Sequence, residues 1–421
     1  MKQSWQKATV TGGVLLSVLV SGGPATVQAA GDGASDYTVK WKSGLRVESP
    51  DKEHKVKIGG RLQYDWTWAS DSGDIEDDVG KLEDGSETRR ARFYVSGTLY
   101  ENVDFKLQYD WAGGDASLKD AYIALNNLPT YLKIGHFKEP FSLEELTSSK
   151  YGTFMERTPV VTVFSPSRNA GVGLSSGFLD DNATYAFGVF RNTDGQGKTT
   201  DEDVYSVTAR LTGTPVYEDG GKRLVHLGAA GSYRTQPDAL RYRARPPMHK
   251  TVRFVDTRGS STDPVTGESV TKDLAGDEAW LWGVEAATVL GSLSLQGEFI
   301  GINDDLDDGS SFDGLGWYVQ ASYLLTGEHR PYKKSSGTFS NIKPQDNYGE
   351  GGGWGAWELA VRYDSLDLND GDVNGGELED TAVGLNWYLN PAIRLTANYV
   401  YSDLDNSGEA HFVGTRAQVA F

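Results

Sequence analysis

From residue 56 to its last residue this chain alternates. In Val56-Lys57-Ile58-Gly59-Gly60-Arg61-Leu62-Gln63-Tyr64-Asp65-Trp66, one face carries Val56, Ile58, Leu62, Tyr64 and Trp66, and the other Lys57, Arg61, Gln63 and Asp65. A period of two over that length reads as a strand with one apolar face, long enough to cross a bilayer at a tilt. Similar segments follow at about 88–100, 103–112, 116–127, 130–138, 168–178, 183–191, 203–215, 222–235, 278–290, 291–301, 314–327, 353–368, 377–389, 391–402 and 409–421, making sixteen. Strands can span hydrocarbon only when every backbone group is paired, which requires a closed barrel. An even number of antiparallel strands returns the chain to the side where it began. The pattern predicts an all-β fold, a 16-stranded antiparallel transmembrane β-barrel over 56–421.

One stretch breaks the series. Gly135 to Asn169 interposes about thirty residues between two strand-like segments, and connections of that length are uncommon unless functional or disordered. Phe137, Phe141, Leu143, Leu146, Tyr151, Phe154, Met155, Val160, Val161, Val163 and Phe164 give it apolar surface to bury, so disorder does not fit its composition. The space available to it is the barrel interior. It is expected to be an inward-folded constriction loop, with the strands as the wall around it.

Composition is compatible with this reading. A mean hydropathy of −0.46 is what alternating lipid-facing and lumen-facing residues produce. Lys2 and Lys7, the apolar run Val14–Val20 and the small residues around Val27-Gln28-Ala29 read as a secretory leader over 1–29. Residues 30–55 are expected to be a periplasmic linker. The chain contains no cysteine, which suits an exported protein that does without disulfides. Its net charge of −19 would oppose anion handling, but three stretches, 71–87, 303–313 and 367–380, carry most of the net negative charge, so the acidity is expected to lie in loops. Tight turns near 101–103, 128–130, 179–182, 291–292 and 390–391 alternate with longer connections at 69–87, 139–167, 192–202, 236–277, 302–313 and 369–376. Short periplasmic turns against long external loops is the arrangement of outer-membrane barrels. The long connection 328–352 is out of step and is expected to be a folded periplasmic turn.

Enzymatic motifs do not hold up. Gly173-Leu174-Ser175-Ser176-Gly177 matches the nucleophile-elbow pattern but lies inside an alternating strand with no helix after it. The six histidines have no metal-ligand spacing. Asp370-x-Asp372-x-Asn374-Gly375 begins like a calcium loop, yet its twelfth position is Thr381. No catalytic residue, metal or cofactor is expected, and loose divalent-cation contact at the acidic ends is the most these carboxylates suggest.

Arginine carries the chemistry. Arg90 and Arg92 share the strand face opposite Phe93, Val95 and Leu99, so they should point into the lumen with Arg61. Arg241, Arg243 and Arg245 alternate on one side of an extended segment, followed by Lys250, Arg253 and Arg258. Guanidinium forks match phosphate oxygens, and a file of them lets an anion pass between similar sites. The competing reading is that these bases neutralise acidic loops or contact lipid phosphates.

With these residues in place, the chain resembles the phosphate- and pyrophosphate-selective O/P porins of Gram-negative outer membranes. The resemblance rests on Lys57-Ile58-Gly59-Gly60-Arg61-Leu62-Gln63, Arg89-Arg90-Ala91, Gly135-His136-Phe137 leading to Leu146-Thr147-Ser148-Ser149-Lys150, Val225-His226-Leu227-Gly228, Leu325-Thr326-Gly327-Glu328, Gly384-Leu385-Asn386-Trp387-Tyr388 and Ala397-Asn398-Tyr399-Val400. It implies a homotrimer of sixteen-stranded barrels, each with an arginine ladder leading to a central phosphate site. By that likeness Arg61, Arg89, Arg90, Arg243 and Arg245 are ladder residues, Lys150 belongs to the inward loop and Asp120 is a carboxylate near the central site. Ser148 and Ser149 flank Lys150 and can donate to phosphate oxygens. Pro247 and Asp104 depart from the pattern, standing where a ladder arginine and a lumen lysine are expected. The resemblance also implies an outer-membrane location, lipid and lipopolysaccharide around the barrel, recognition of the terminal Phe421 by the barrel assembly machinery, and no nucleic-acid partner. A general or sugar-type porin, with Tyr94, Tyr122 and Tyr318 as a stacking path, and a plugged structural or adhesion barrel are the alternatives.

Overall fold

The computed structural model describes residues 25–27, 37–72, 75–200, 203–237, 239–262 and 269–421. The expected leader, 1–29, lies outside the described residues apart from Ala25–Val27, whose backbone pairs with Tyr37–Val39. Sixteen strands follow the alternating segments. They are β1 (Lys55–Asp71), β2 (Gly85–Leu99), β3 (Val103–Asp110), β4 (Ser117–Leu125), β5 (Tyr131–Lys138), β6 (Arg168–Phe178), β7 (Ala183–Arg191) and β8 (Tyr205–Glu218). The second half comprises β9 (Arg223–Thr235), β10 (Gly276–Leu290), β11 (Leu293–Leu306), β12 (Ser311–Leu324), β13 (Ala356–Asp370), β14 (Val373–Tyr388), β15 (Ile393–Leu404) and β16 (Gly408–Ala420). Each pairs antiparallel with its successor. β16 pairs with β1 from Ala410↔Asp71 to Ala420↔Arg61, which closes the barrel. The two faces separate as the alternation requires: Arg61, Gln63, Asp65 and Thr67 are buried inside, and Leu62, Trp66 and Trp68 are exposed outside.

Three expectations need correction. Within the expected linker 30–55, residues Tyr37–Trp41 and Leu45–Glu48 form a hairpin whose second strand pairs with Lys55–Ile58 of β1. This hairpin continues the seam beyond the end of β16, where Phe421 exchanges two backbone hydrogen bonds with Gly60 and stacks on Trp41 at 6.1 Å. It leaves little of that edge unpaired. Second, acidity is not a property of loops alone, because most of 303–313 and 367–380 lies on extended strand ends joined by tight turns after Leu306 and Asp370. Third, the connection 328–352 folds into the lumen, burying Glu328, Arg330, Tyr332, Phe339 and Ile342. Arg210 holds it by donating to the carbonyls of Ser336 (3.3 Å) and Gly337 (2.9 Å). Gly337 adopts φ 58°, a left-handed conformation that glycine takes without steric cost.

The inward loop between β5 and β6 carries two short helices, Leu143–Leu146 and Pro159–Phe164. Ser142 accepts from the Glu145 amide and Thr158 from that of Val161, capping each N-terminus. The loop's Phe141, Phe154, Val160, Val161 and Phe164 join Leu281, Ile300, Phe312, Leu366 and Phe412 of the wall in one apolar cluster. Glycines on that wall act as sockets. A Cβ at Gly316 would lie 2.7 Å from Val160, one at Gly314 2.8 Å from Phe164, and one at Gly384 3.2 Å from Phe154. One side of the lumen therefore has a packed core, and the open space is confined to the other.

Candidate functional site: the lumen constriction

The loop is fastened to the β10–β16 wall by buried polar groups. The Glu298 carboxylate accepts from the Leu143 and Glu144 amides (2.9 and 2.7 Å) and from the Tyr318 hydroxyl (2.6 Å). Arg362 donates to the Glu156 carbonyl and to Asp364, both at 3.1 Å, and lies over the Phe154 ring at 4.6 Å. Arg394 donates to the Gly152 carbonyl at 2.6 Å, and Asn386 to that of Thr153 at 2.8 Å. Arg416 bridges Asp65 (2.7 and 2.6 Å) and Glu156 (2.6 Å) with its side chain fully buried.

Held this way, the loop turns Ser148, Ser149 and Lys150 toward β1–β6. Arg61 donates to the Ser148 and Ser149 hydroxyls at 3.2 and 3.0 Å. Arg89 and Arg90 both reach Glu156: Arg89 by two bonds of 2.9 Å and Arg90 by bonds of 3.3 and 3.2 Å. Two adjacent residues of a regular strand cannot share a face. A bulge in β2 solves this, because Gln63 pairs with Arg90 and Tyr64 with Thr88, leaving Arg89 as the extra residue. The same device in β4, between the pairs Gln108↔Asp120 and Tyr109↔Leu118, brings Lys119 to the cavity beside Asp120. Arg92 is tied to Asp110 at 2.6 Å. Asp120 is occupied by Lys106 at 2.6 Å and Arg168 at 2.9 Å.

These groups line a central cavity of about 810 Å³ with thirteen lysines and arginines against two carboxylates, Asp120 and Glu145. Glu145 is itself spanned by Lys138 and Arg157, each at 2.8 Å. Among the described residues Lys57, Arg61, Lys119, Lys133, Lys150 and Lys333 of this cavity form no ion pair. Lys333 comes from the 328–352 connection, and Lys106, Lys119 and Lys133 from strands. Sequence reasoning overlooked all four, although the inward parity of Lys106 and Lys133 within their alternating segments was available as a signal.

Toward the outside, the central cavity shares Arg89, Arg90, Arg157 and Ser167 with a second space of about 270 Å³ lined by Arg243, Arg245 and Arg253. Arg243 and Arg245 thus sit in the same path as Arg61. Arg241 does not line it, being bound to Asp256 at 2.6 Å through its Nε.

Lys150 has no carboxylate partner among the described residues and lies 5.0 Å over the Tyr151 ring. The acids that share its loop are committed elsewhere: Glu144 to Thr158, Glu145 to Lys138 and Arg157, and Glu156 to Arg89, Arg90 and Arg416. Burial first, then the charges of Arg61, Lys57 and Lys106, push the Lys150 pKa down to about 7. Burial works against the charge of Glu156, yet Arg89, Arg90 and Arg416 hold its carboxyl well below the usual range.

Comparison with known proteins agrees with this geometry. The family model described as phosphate-selective porin O and P matches residues 56–421. Porin O of Pseudomonas aeruginosa is 30% identical, the match covering 93% of each chain. An uncharacterised protein of Caulobacter vibrioides is 30% identical over 86% of this chain and 71% of its own length. The fold is shared with the anion-selective porin of Comamonas acidovorans at TM-score 0.55 and 13% identity, covering 88% of this chain and 100% of that one. It is also shared with OmpT of Vibrio cholerae in a loop-deleted form at TM-score 0.56 and 12% identity, covering 88% and 100%. The chain belongs to the phosphate-selective porin O and P family and is a channel of the Gram-negative outer membrane, not an enzyme.

Proposed function

We propose that this channel conducts small anions passively, phosphate or polyphosphate foremost, along Arg243, Arg245, Arg89, Arg90, Arg92 and Arg61 to a central site at Lys150, Ser148 and Ser149, with Asp120 fixing Lys106 and Arg168 beside it. The observation that carries this reading is the central cavity, where bases exceed acids thirteen to two in a chain of net charge −19. A ring of fixed positive charge at a narrow point attracts anions and opposes cations. Binding there is divided among several bases of similar strength, which suits entry and release alike. The family description and the printed name of the Comamonas porin support the same selectivity. The trimer form solved for OmpT supports a homotrimer. Residues 1–29 serve as the export leader, and lipid and lipopolysaccharide surround the barrel.

The reading is tested in planar bilayers. A salt gradient should give a reversal potential on the anion side, and added phosphate should reduce the chloride current in a saturable way. A cation-side reversal potential would refute it.

A further inference from the structure

The two parts of the pathway differ in what accompanies the charge. The outer space around Arg243, Arg245 and Arg253 has no phenylalanine, tyrosine or tryptophan among its described lining residues. In the central cavity four of the seven lining lysines stand over aromatic rings. Lys57 and Lys106 lie 5.3 and 5.6 Å from the centroid of Tyr94, Lys133 lies 4.8 Å from Tyr122 and 4.9 Å from Phe137, and Lys150 lies 5.0 Å from Tyr151. Such contacts occur roughly once per 70–80 residues, so their gathering in one cavity sets it apart from the outer path.

Charge alone needs no such rings, and an inorganic ion needs little of the room. The cavity measures about 810 Å³, within the roughly 300–1,000 Å³ of sites that enclose whole organic ligands. Tyr122 and Tyr151 are half-buried, so part of each ring faces the space. Lys133 and Lys150 lie over these rings, which leaves their ammonium groups beside an apolar surface with no carboxylate competing for them among the described residues.

We infer that the central cavity takes organic anions that join a phosphate or carboxylate to a planar ring, the anionic group meeting Lys150, Arg61 and Lys133 and the ring lying along Tyr122 and Tyr151. This rests on the anion-conducting reading above and extends it from the inorganic ion to aryl phosphates and aromatic carboxylates. The arginine path then acts on charge alone, and the aromatic discrimination occurs only at the centre.

The test compares inorganic phosphate, methyl phosphate and phenyl phosphate as blockers of the chloride current through single channels at about pH 6, where Lys150 is mostly charged and phosphate monoesters, with a second pKa of about 6, carry about one and a half charges. Phenyl phosphate is expected to reach half-block at a concentration about three- to ten-fold below methyl phosphate, the range given by an aromatic pair contact. In a variant carrying both Tyr122→Leu and Tyr151→Leu that ratio should fall to about one. Equal half-block by the phenyl and methyl esters in the unmodified channel overturns this inference while leaving anion passage standing. Absence of block by inorganic phosphate overturns the function on which it rests.

Discussion

On the β10–β16 side of the lumen, arginines end on carboxylates or on carbonyls of the inward loop; on the β1–β6 side, bases outnumber acids and several face open space. Arg362, Arg394 and Arg416 are among the largest fully buried side chains of the described residues, yet each is consumed by Asp364, Gly152 or Asp65 and Glu156. Lys57, Lys119, Lys133 and Lys150 carry the same charge without a carboxylate among the described residues. A paired buried charge is largely cancelled, and its removal is felt as instability. An unpaired charge over a water-filled cavity is available to a solute. The difference teaches that counting basic residues in a barrel says little until their partners are known.

That comparison can be broken from either side. The largest effect is expected in Arg416→Ala, which strands Asp65 and loosens Glu156. Breaking a buried pair costs about 3–5 kcal/mol, to be read as a lower unfolding temperature of the detergent-extracted protein. Gly316→Val places a side chain where Val160 sits and should cost about 1–3 kcal/mol, with noisy or enlarged single-channel conductance as the loop loses its seat. On the opposite wall, Lys133→Gln should leave the unfolding midpoint within about 2 kcal/mol, the cation–π contribution, and shift the reversal potential toward zero. An unfolding loss in Lys133→Gln as large as in Arg416→Ala would erase the distinction between the walls.

Lys150 adds a pH dependence of defined sign. Its pKa of about 7 means that the ammonium is gained as pH falls, so its protonated share rises from about one-tenth at pH 8 to about nine-tenths at pH 6. Chloride preference should therefore increase on acidification across that window, and Lys150→Arg, which stays charged, should flatten the dependence. The smallest effect is expected from neutralising Asp367, Asp370, Asp372, Glu377 and Glu379, the acids of 367–380 that are not buried. They lie at the extracellular strand ends, and a Debye length of about 8 Å at physiological ionic strength screens most of their field from the central site.

The barrel was legible because period two is a local signal: the alternation over 56–66 and its fifteen successors located the sixteen barrel strands, though not the hairpin of Tyr37–Trp41 and Leu45–Glu48. The inward loop was legible by contrast, as an apolar stretch with no partner strand. Arg89 was not legible from alternation, which points it at lipid; the likeness to the family made it a ladder residue, and the bulge at Arg89 is the physical reason that it lines the cavity. Two adjacent arginines in a strand whose other face meets lipid could have announced that bulge. The sockets at Gly314, Gly316 and Gly384 had no sequence signal, since a glycine in a strand looks the same whether a neighbour fills its space or nothing does. The inward fold of 328–352 was missed because Tyr332, Phe339 and Ile342 follow no period, and with it Lys333 was missed.

The central claim is that the unpaired bases of one wall set the charge preference, and Lys150→Glu tests it most directly. A like charge about 4 Å from the permeating anion, at an effective dielectric of about 20, opposes it by about 4 kcal/mol. The reversal potential of this variant in a salt gradient, measured on oligomers shown to be as heat-stable as the parent, should move to the cation side, and phosphate should no longer block. A stable, quiet Lys150→Glu channel that keeps its anion preference would contradict the account.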